Sequence, residues 1–270
     1  MKKFNFIFLS FLFLMGCSVK KIALRSVAEM LQNGSSAFYE ESDPKIARTA
    51  LESQLKLLEV LLKNDPKNLT LLLQATQGFG AYSFLFLEEE EPARAKIFYE
   101  RGLKYGNSYL EPKMNRGFTV KDVPILFWTA YCWAGLSNLS RDNPQAIADL
   151  PKIEKMMREV DSLSPSYFYG GPDLFFGGVY GSKPKILGGD LEKAKLHFEK
   201  AFTVSQRSFL MAQILFVQYV AIPSQDRDLF KKIITEVLEF PLENFPEQRL
   251  SNQIAKERAQ KLLSRIDEYF

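Results

Sequence analysis

Apolar residues recur every three or four positions along most of the chain, the period of an α-helix packed on one side. No run alternates apolar and polar residues between turn signals in the way a half-buried strand does. The helical segments are punctuated by Asp43-Pro44, Asp65-Pro66, Asn143-Pro144 and Ser164-Pro165. Such pairs suit helix starts: Asp, Asn or Ser accepts free N–H groups of the first turn, and proline fits the first helical position. Gly34, Gly106 and Gly188-Gly189 add further breaks. The pattern predicts helices at about 22–32, 44–63, 68–87, 91–105, 122–140, 144–162, 172–181, 190–204, 207–221, 225–239 and 246–269. So many helices joined by short loops predict an all-α fold of antiparallel hairpins stacked into a solenoid. The last segment reads as a terminal cap. Leu250, Ile254, Leu262, Leu263 and Ile266 are expected to face inward, and Lys256, Glu257, Arg258, Lys261 and Arg265 to face water.

Internal similarity supports the stacking. Ala194-x3-Phe198-x2-Ala201 matches the second helix of a tetratricopeptide repeat, and Ala95-x3-Tyr99-x2-Gly102 nearly does. The small residues let helices approach, and the aromatic fills the groove between them. Gln54, Leu58, Leu61 and Pro66 give a degraded copy, as do Ile153, Met157, Val160 and Pro165. The spacing is irregular: 58 residues from Ala95 to Ile153 and 41 from Ile153 to Ala194. A regular repeat would give about 34, so first helices are expected to be long or to carry insertions.

The N-terminus follows another plan. Lys2 and Lys3 precede an apolar run from Phe4 to Met15, broken by Asn5 and Ser10. This is the layout of a secretory signal. The run is shorter than the ~20 residues a spanning helix needs. It ends in Leu14-Met15-Gly16-Cys17, which resembles the bacterial lipobox, where the cysteine becomes the first residue and carries lipid. Residues 1–16 are therefore expected to be a signal peptide, 17–25 a lipidated tether beginning at Cys17, and 26–270 a tetratricopeptide-like helical domain. Two or more acyl chains hold a protein stably on a bilayer. Ser18 follows the cysteine where an Asp marks some inner-membrane lipoproteins, so the resemblance favours an outer-membrane destination facing the periplasm.

Composition narrows the function. Hydrophobic residues make up 46% of the 270 positions, enough for a folded core. The formal net charge of +3 falls to +1 once Lys2 and Lys3 leave with the signal. That gives no case for a nucleic-acid partner. Cys132, in the apolar stretch Tyr131-Cys132-Trp133-Ala134, reads as a buried inert thiol. The one histidine, His197, reads as solvated or at a helix edge, with no second ligand at metal-binding spacing. No nucleophile elbow, Walker loop or dinucleotide fingerprint appears, so neither catalytic residue nor cofactor nor metal is expected. Glu88 to Glu91 reads as a solvated turn whose charge favours the next helix start, or else as a contact for a basic partner.

The segment Ser164–Asp190 stands apart, with six aromatics and seven glycines in 27 residues. Gly177 and Gly181, one helical turn apart, let a backbone or a ligand come close. Its aromatics either pack between repeats or line a cleft. The candidate cleft residues are Tyr167, Phe168, Tyr169, Phe175, Phe176 and Tyr180.

These features converge on one family. The lipobox, the irregular tetratricopeptide helices, Tyr-Gly-Gly-Pro at 169–172, the stretch Leu187–Ala201 and Phe-Pro-Glu-Gln-Arg-Leu-x-Asn at 245–252 resemble the T component of tetratricopeptide-associated TRAP transporters, TatT. The resemblance implies a periplasmic lipoprotein with helical hairpins around a central cavity. It implies a homotrimer that docks the TRAP solute-binding protein and helps a small apolar or carboxylated solute reach it. It carries over Cys17 as the lipidation site and no catalytic residue. The other reading of the same residues is a tetratricopeptide lipoprotein scaffold for envelope or outer-membrane assembly, with no small ligand.

Overall fold

The computed structural model describes residue 19 and residues 21–270. The expected signal peptide and Cys17 lie outside them. Among the described residues there is no strand. The first helix, α1, covers 21–33 among the described residues, so residues 21–25, read as tether, are helical. There follow α2 (Ser36–Tyr39), α3 (Pro44–Asn64), α4 (Leu69–Tyr82), α5 (Pro92–Leu110), α6 (Val123–Asn138) and α7 (Pro144–Leu163). Then come α8 (Tyr167–Ser182), α9 (Leu191–Ser205), α10 (Leu210–Phe216), α11 (Arg227–Glu239), α12 (Arg249–Ser264) and α13 (Ile266–Tyr269). Two of them run on into π-helical turns: α4 through Ser83–Leu87 and α10 through Val217–Ala221.

The helix starts follow their caps. Asp43 accepts from Lys45 N at 2.8 Å and Asn143 from Gln145 N at 2.9 Å, each with proline at the first helical position. Asp65-Pro66 and Ser164-Pro165 behave differently from expectation. Asp65 and Ser164 end α3 and α7, and the cap of α4 is Asn68. Gly106 does not stop α5, which continues to Leu110. It is there for packing: a Cβ on Gly106 would lie 2.0 Å from Thr129 Oγ1 of α6.

Each helix from α3 to α12 packs on the next, as a stack of hairpins requires. The even-numbered helices also pack on one another in the order α4, α6, α8, α10, α12. They form an inner wall, with α3, α5, α7, α9 and α11 outside it. The repeat signatures fall on the odd helices, and their small-aromatic-small residues are buried: Ala95, Tyr99, Ala194, Phe198 and Ala201 are fully enclosed.

The array closes on itself. Helix α12 covers α10 and α11, and also reaches α2 and α3 at the other end. Arg258 Nε meets Glu89 Oε1 at 2.8 Å and Lys261 meets Glu89 Oε2 at 3.4 Å, tying α12 to the α4–α5 turn. Arg258, expected in water, is therefore only 7% exposed, while Leu263, expected inward, is 40% exposed. The reason is a second face of burial: α12 has neighbours at both ends of the array, which a simple cap lacks.

Candidate functional site: an apolar cavity inside the helical ring

The inner wall borders a cavity of about 760 Å³, to which α3 adds Leu51 and Leu58 and α7 adds Leu150 and Met157. Each even helix supplies a stripe at three- and four-residue spacing, the geometry of one helix face. From α4 and its π turn come Gln74, Gln77, Ala81, Phe84 and Glu88. From α6 come Phe127, Trp128, Tyr131, Gly135 and Asn138. Helix α8 adds Phe168, Phe175 and Gly178, and α10 with its π turn adds Met211, Leu215 and Tyr219. The volume suits a small-molecule site, and the lining is largely apolar with few polar groups.

The two π turns face the cavity. Such bulges break helix regularity and gather at functional sites. One precedes Glu88 and the other holds Tyr219. The Tyr99 hydroxyl donates to Glu88 Oε1 at 2.6 Å, and that is the only hydrogen bond the Glu88 carboxylate makes among the described residues. Burial raises the Glu88 carboxyl above its ordinary value, outweighing the Tyr99 hydroxyl and the nearby Arg258 charge. Burial likewise pushes the hydroxyls of Tyr99, Tyr131 and Tyr219 up. Trp128 is 3% exposed and its indole N–H has no partner in hydrogen-bond geometry, although the Tyr167 hydroxyl lies close. At the rim, Arg141, Ile147 and Leu187 are solvent-exposed, and Lys183 pairs with Glu154 at 3.1 Å.

The wall at α8 begins with a strained turn. Phe168, Tyr169 and Gly170 have φ of 47°, 60° and 76°. Non-glycine residues there cost about 1–2 kcal/mol each. Aromatic packing holds the turn. Phe168 meets Trp128 at 4.8 Å and Tyr169 stacks on Phe209 at 5.0 Å. A Cβ on Gly170 would come within 2.9 Å of Ala201 Cα, so glycine is required at the closest approach.

The structure divides the expected cleft aromatics. Phe168 and Phe175 line the cavity. Tyr167 packs edge-on against Phe127, and Tyr169 sits between Phe209 and Phe245. Phe176 and Tyr180 lie on the outer side of α8, against His197. His197 Nδ1 meets Asp173 Oδ1 at 2.7 Å and joins α8 to α9. The close approaches expected of Gly177 and Gly181 are present: a Cβ on Gly177 would meet the Phe198 ring at 2.7 Å and one on Gly181 the Tyr219 carbonyl oxygen at 2.2 Å. Cys132 is fully buried, with its thiol pushed up by burial and its Sγ 3.4 Å from Thr76 O. Glu88 departs from the solvated turn expected for the acid run. Glu89, Glu90 and Glu91 do lie at the surface, paired with Arg258, Lys261 and Arg48. The signal that reveals Glu88 is the α4 stripe itself, which continues in register from Gln74 to this residue.

A closed all-α array of helical hairpins around an apolar chamber defines the architectural class. The chain belongs to the TRAP transporter T-component (TAtT) family, whose model matches residues 40–270. It is thus an accessory component of a TRAP-type transport system. It is also 24% identical, over 315 aligned positions, to an uncharacterized protein of Treponema pallidum (strain Nichols), a match covering 98% of this chain and 96% of that one. No helix among the described residues is long and apolar enough to cross a membrane.

Proposed function

We propose that this protein is a lipid-anchored accessory subunit that holds a small apolar solute in its central cavity and docks the solute-binding protein of its transporter. The observation that carries this reading is the cavity of about 760 Å³ lined mainly by the even helices, with α3 and α7. Family membership supports the transporter setting. The anchor would be Cys17, whose acyl chains keep the ring near the membrane and raise encounter with the partner. The functional assembly is a homotrimer, presenting equal docking faces to that partner.

The cavity is tested by filling it. Gly178 lines it, and the nearest atom a Cβ would meet there is on Tyr219 at 3.6 Å. Gly178→Trp would place an indole in the chamber. The neutral dye N-phenyl-1-naphthylamine should brighten with the wild-type protein and not with this variant. Equal brightening by both folded proteins would remove the cavity from the function. Palmitate labelling of the wild type, lost in Cys17→Ser, tests the anchor. Sedimentation tests the trimer, and co-purification with the solute-binding protein tests the docking.

A further inference from the structure

Helix α1 has two apolar faces, and the protein covers one of them. Leu24, Ala28 and Leu31 recur at helical spacing and turn inward. Ala28 is buried, and its carbonyl accepts from Gln74 Nε2 of α4 at 2.9 Å. Val19, Ile22, Ala23, Val27 and Met30 make a second stripe on the opposite side, with Ser26 its one polar member. All of these are exposed, Ile22 at 60% and Met30 at 70%. Contiguous exposed apolar surface marks a site of interaction. Lys21, Arg25 and Glu29 run along one flank between the two stripes. They share a cleft with Asp65 and Lys67 of the turn from α3 to α4, so three of the five charges there are positive.

The origin of the chain decides what covers the exposed stripe. Cys17 precedes Val19 by two residues, so their Cα atoms are at most about 7 Å apart. The tether expected over 17–25 is shortened, because 21–25 are helical. A lipid on Cys17 therefore brings the start of α1 to the headgroups, with no length of chain left to hold it clear. An amphipathic helix at that depth lies in the interface plane, its apolar face about 5–10 Å into the headgroup boundary and basic residues beside it. We propose that α1 is an interfacial helix. Its stripe of Ile22, Val27 and Met30 lies in the bilayer that takes the Cys17 acyl chains, with Lys21, Arg25 and Lys67 against anionic headgroups. This placement rests on the Cys17 anchor proposed above, and adds a second contact that fixes how the helical array is oriented on the membrane.

The test reconstitutes the acylated protein into vesicles of phosphatidylethanolamine and phosphatidylglycerol, with nitrobenzoxadiazole on one introduced cysteine. Cys17 is taken by the lipid and Cys132 is fully buried, so the introduced thiol is the one that reacts. Met30→Cys should give blue-shifted emission that is quenched by lipid doxyl-labelled near its carbonyls, and Ile22→Cys should match it. Lys232→Cys, at an exposed position of α11, should give water-like emission that the same lipid does not quench. Met30 and Ile22 probes that behave like the Lys232 probe, on vesicles that carry the protein, overturn the interfacial helix and leave the anchor standing. A blue shift without quenching by lipid also overturns it, because protein then covers the stripe, as a second copy of the chain would. Failure of the wild type to take up palmitate and to float with vesicles overturns the anchor itself, and the placement of α1 with it.

Discussion

The odd and even helices of this protein do different work, and they differ in composition: the even helices α4, α6 and α8 are the more apolar. The odd helices α3, α5, α7, α9 and α11 bury one stripe and leave the other face to water, although α3 and α7 also reach the chamber through residues such as Leu51 and Leu150. The even helices α4, α6, α8 and α10 bury one face in the core and turn the other to the chamber. Both faces of an even helix are therefore largely apolar, and the chamber side carries its larger polar groups on α4, at Gln74, Gln77 and Glu88. Stability should follow the odd helices and specificity the even ones.

Paired aromatic truncations break or sharpen that division most strongly. Phe198, on α9, is fully buried and meets Phe202 and Phe216. Phe198→Ala should lower unfolding free energy by about 3–5 kcal/mol, read by urea denaturation. Phe175, on α8, borders a space that is already open, so Phe175→Ala leaves little new cavity. It should cost under about 1.5 kcal/mol and change dye binding instead. Equal destabilisation by the two would erase the distinction between core face and chamber face.

Close backbone approach gives the next effect. A Cβ on Gly181 would press the Tyr219 carbonyl oxygen, which belongs to the π turn of α10. Gly181→Ala should cost about 1–3 kcal/mol by overpacking. Because the displaced turn carries Tyr219 into the chamber, dye affinity should fall with it. A loss of stability with unaltered affinity would show the π turn to be rigidly independent of its neighbour.

Legibility in the sequence follows the same division. The odd helices announce themselves because apolar stripes alternate with water-facing residues, and their caps sit where Asp43 and Asn143 predict. The chamber does not. A helix that is apolar on both sides carries no period to say which face is core and which is cavity. The sequence led instead to the aromatic-rich segment after Ser164, and of its six aromatics only Phe168 and Phe175 reach the chamber. Trp128, Tyr131 and Tyr219 stayed hidden because they sit among other apolar residues, and Glu88 because three surface acids follow it. Closure by α12 was also hidden, since the partners of Arg258 lie more than 160 residues away in the chain.

Two acids make the comparison sensitive to pH with opposite signs. Asp122 is 3% exposed and accepts from Lys113 at 2.6 Å, from the Tyr109 hydroxyl at 2.8 Å and from the Thr119 backbone at 3.0 Å. Burial opposes ionisation there, and these bonds overcome it, holding the carboxyl far below its ordinary value of 3.8. Its contribution is present above that value and fades as pH falls toward the folded-state value. Asp122→Asn should cost about 1–3 kcal/mol at pH 7 and progressively less below about pH 4. Glu88 is raised, so its folded state favours the proton and ionisation at neutral pH weakens the fold. Glu88→Gln should raise the melting temperature at pH 7 and lose that advantage in acid. A lower melting temperature at pH 7 would show the chamber acid to be a structural support.

The smallest effect separates two kinds of left-handed backbone. Gln206 ends α9 with φ of 49°, and its side chain is exposed and makes no hydrogen bond among the described residues. Nothing offsets the strain of a Cβ there, and glycine is the usual residue at that position. Gln206→Gly should stabilise the protein by about 0.5–1 kcal/mol. Tyr169 has nearly the same backbone, with φ of 60°, but its ring stacks on Phe209 and meets Phe245 at 5.3 Å. Tyr169→Gly relieves the same strain and removes that packing, so it should destabilise. If both glycine variants stabilise, the aromatic cage does not hold the α8 turn. If only Gln206→Gly does, the strain at the chamber wall persists because surrounding rings impose it, as expected where geometry serves a site.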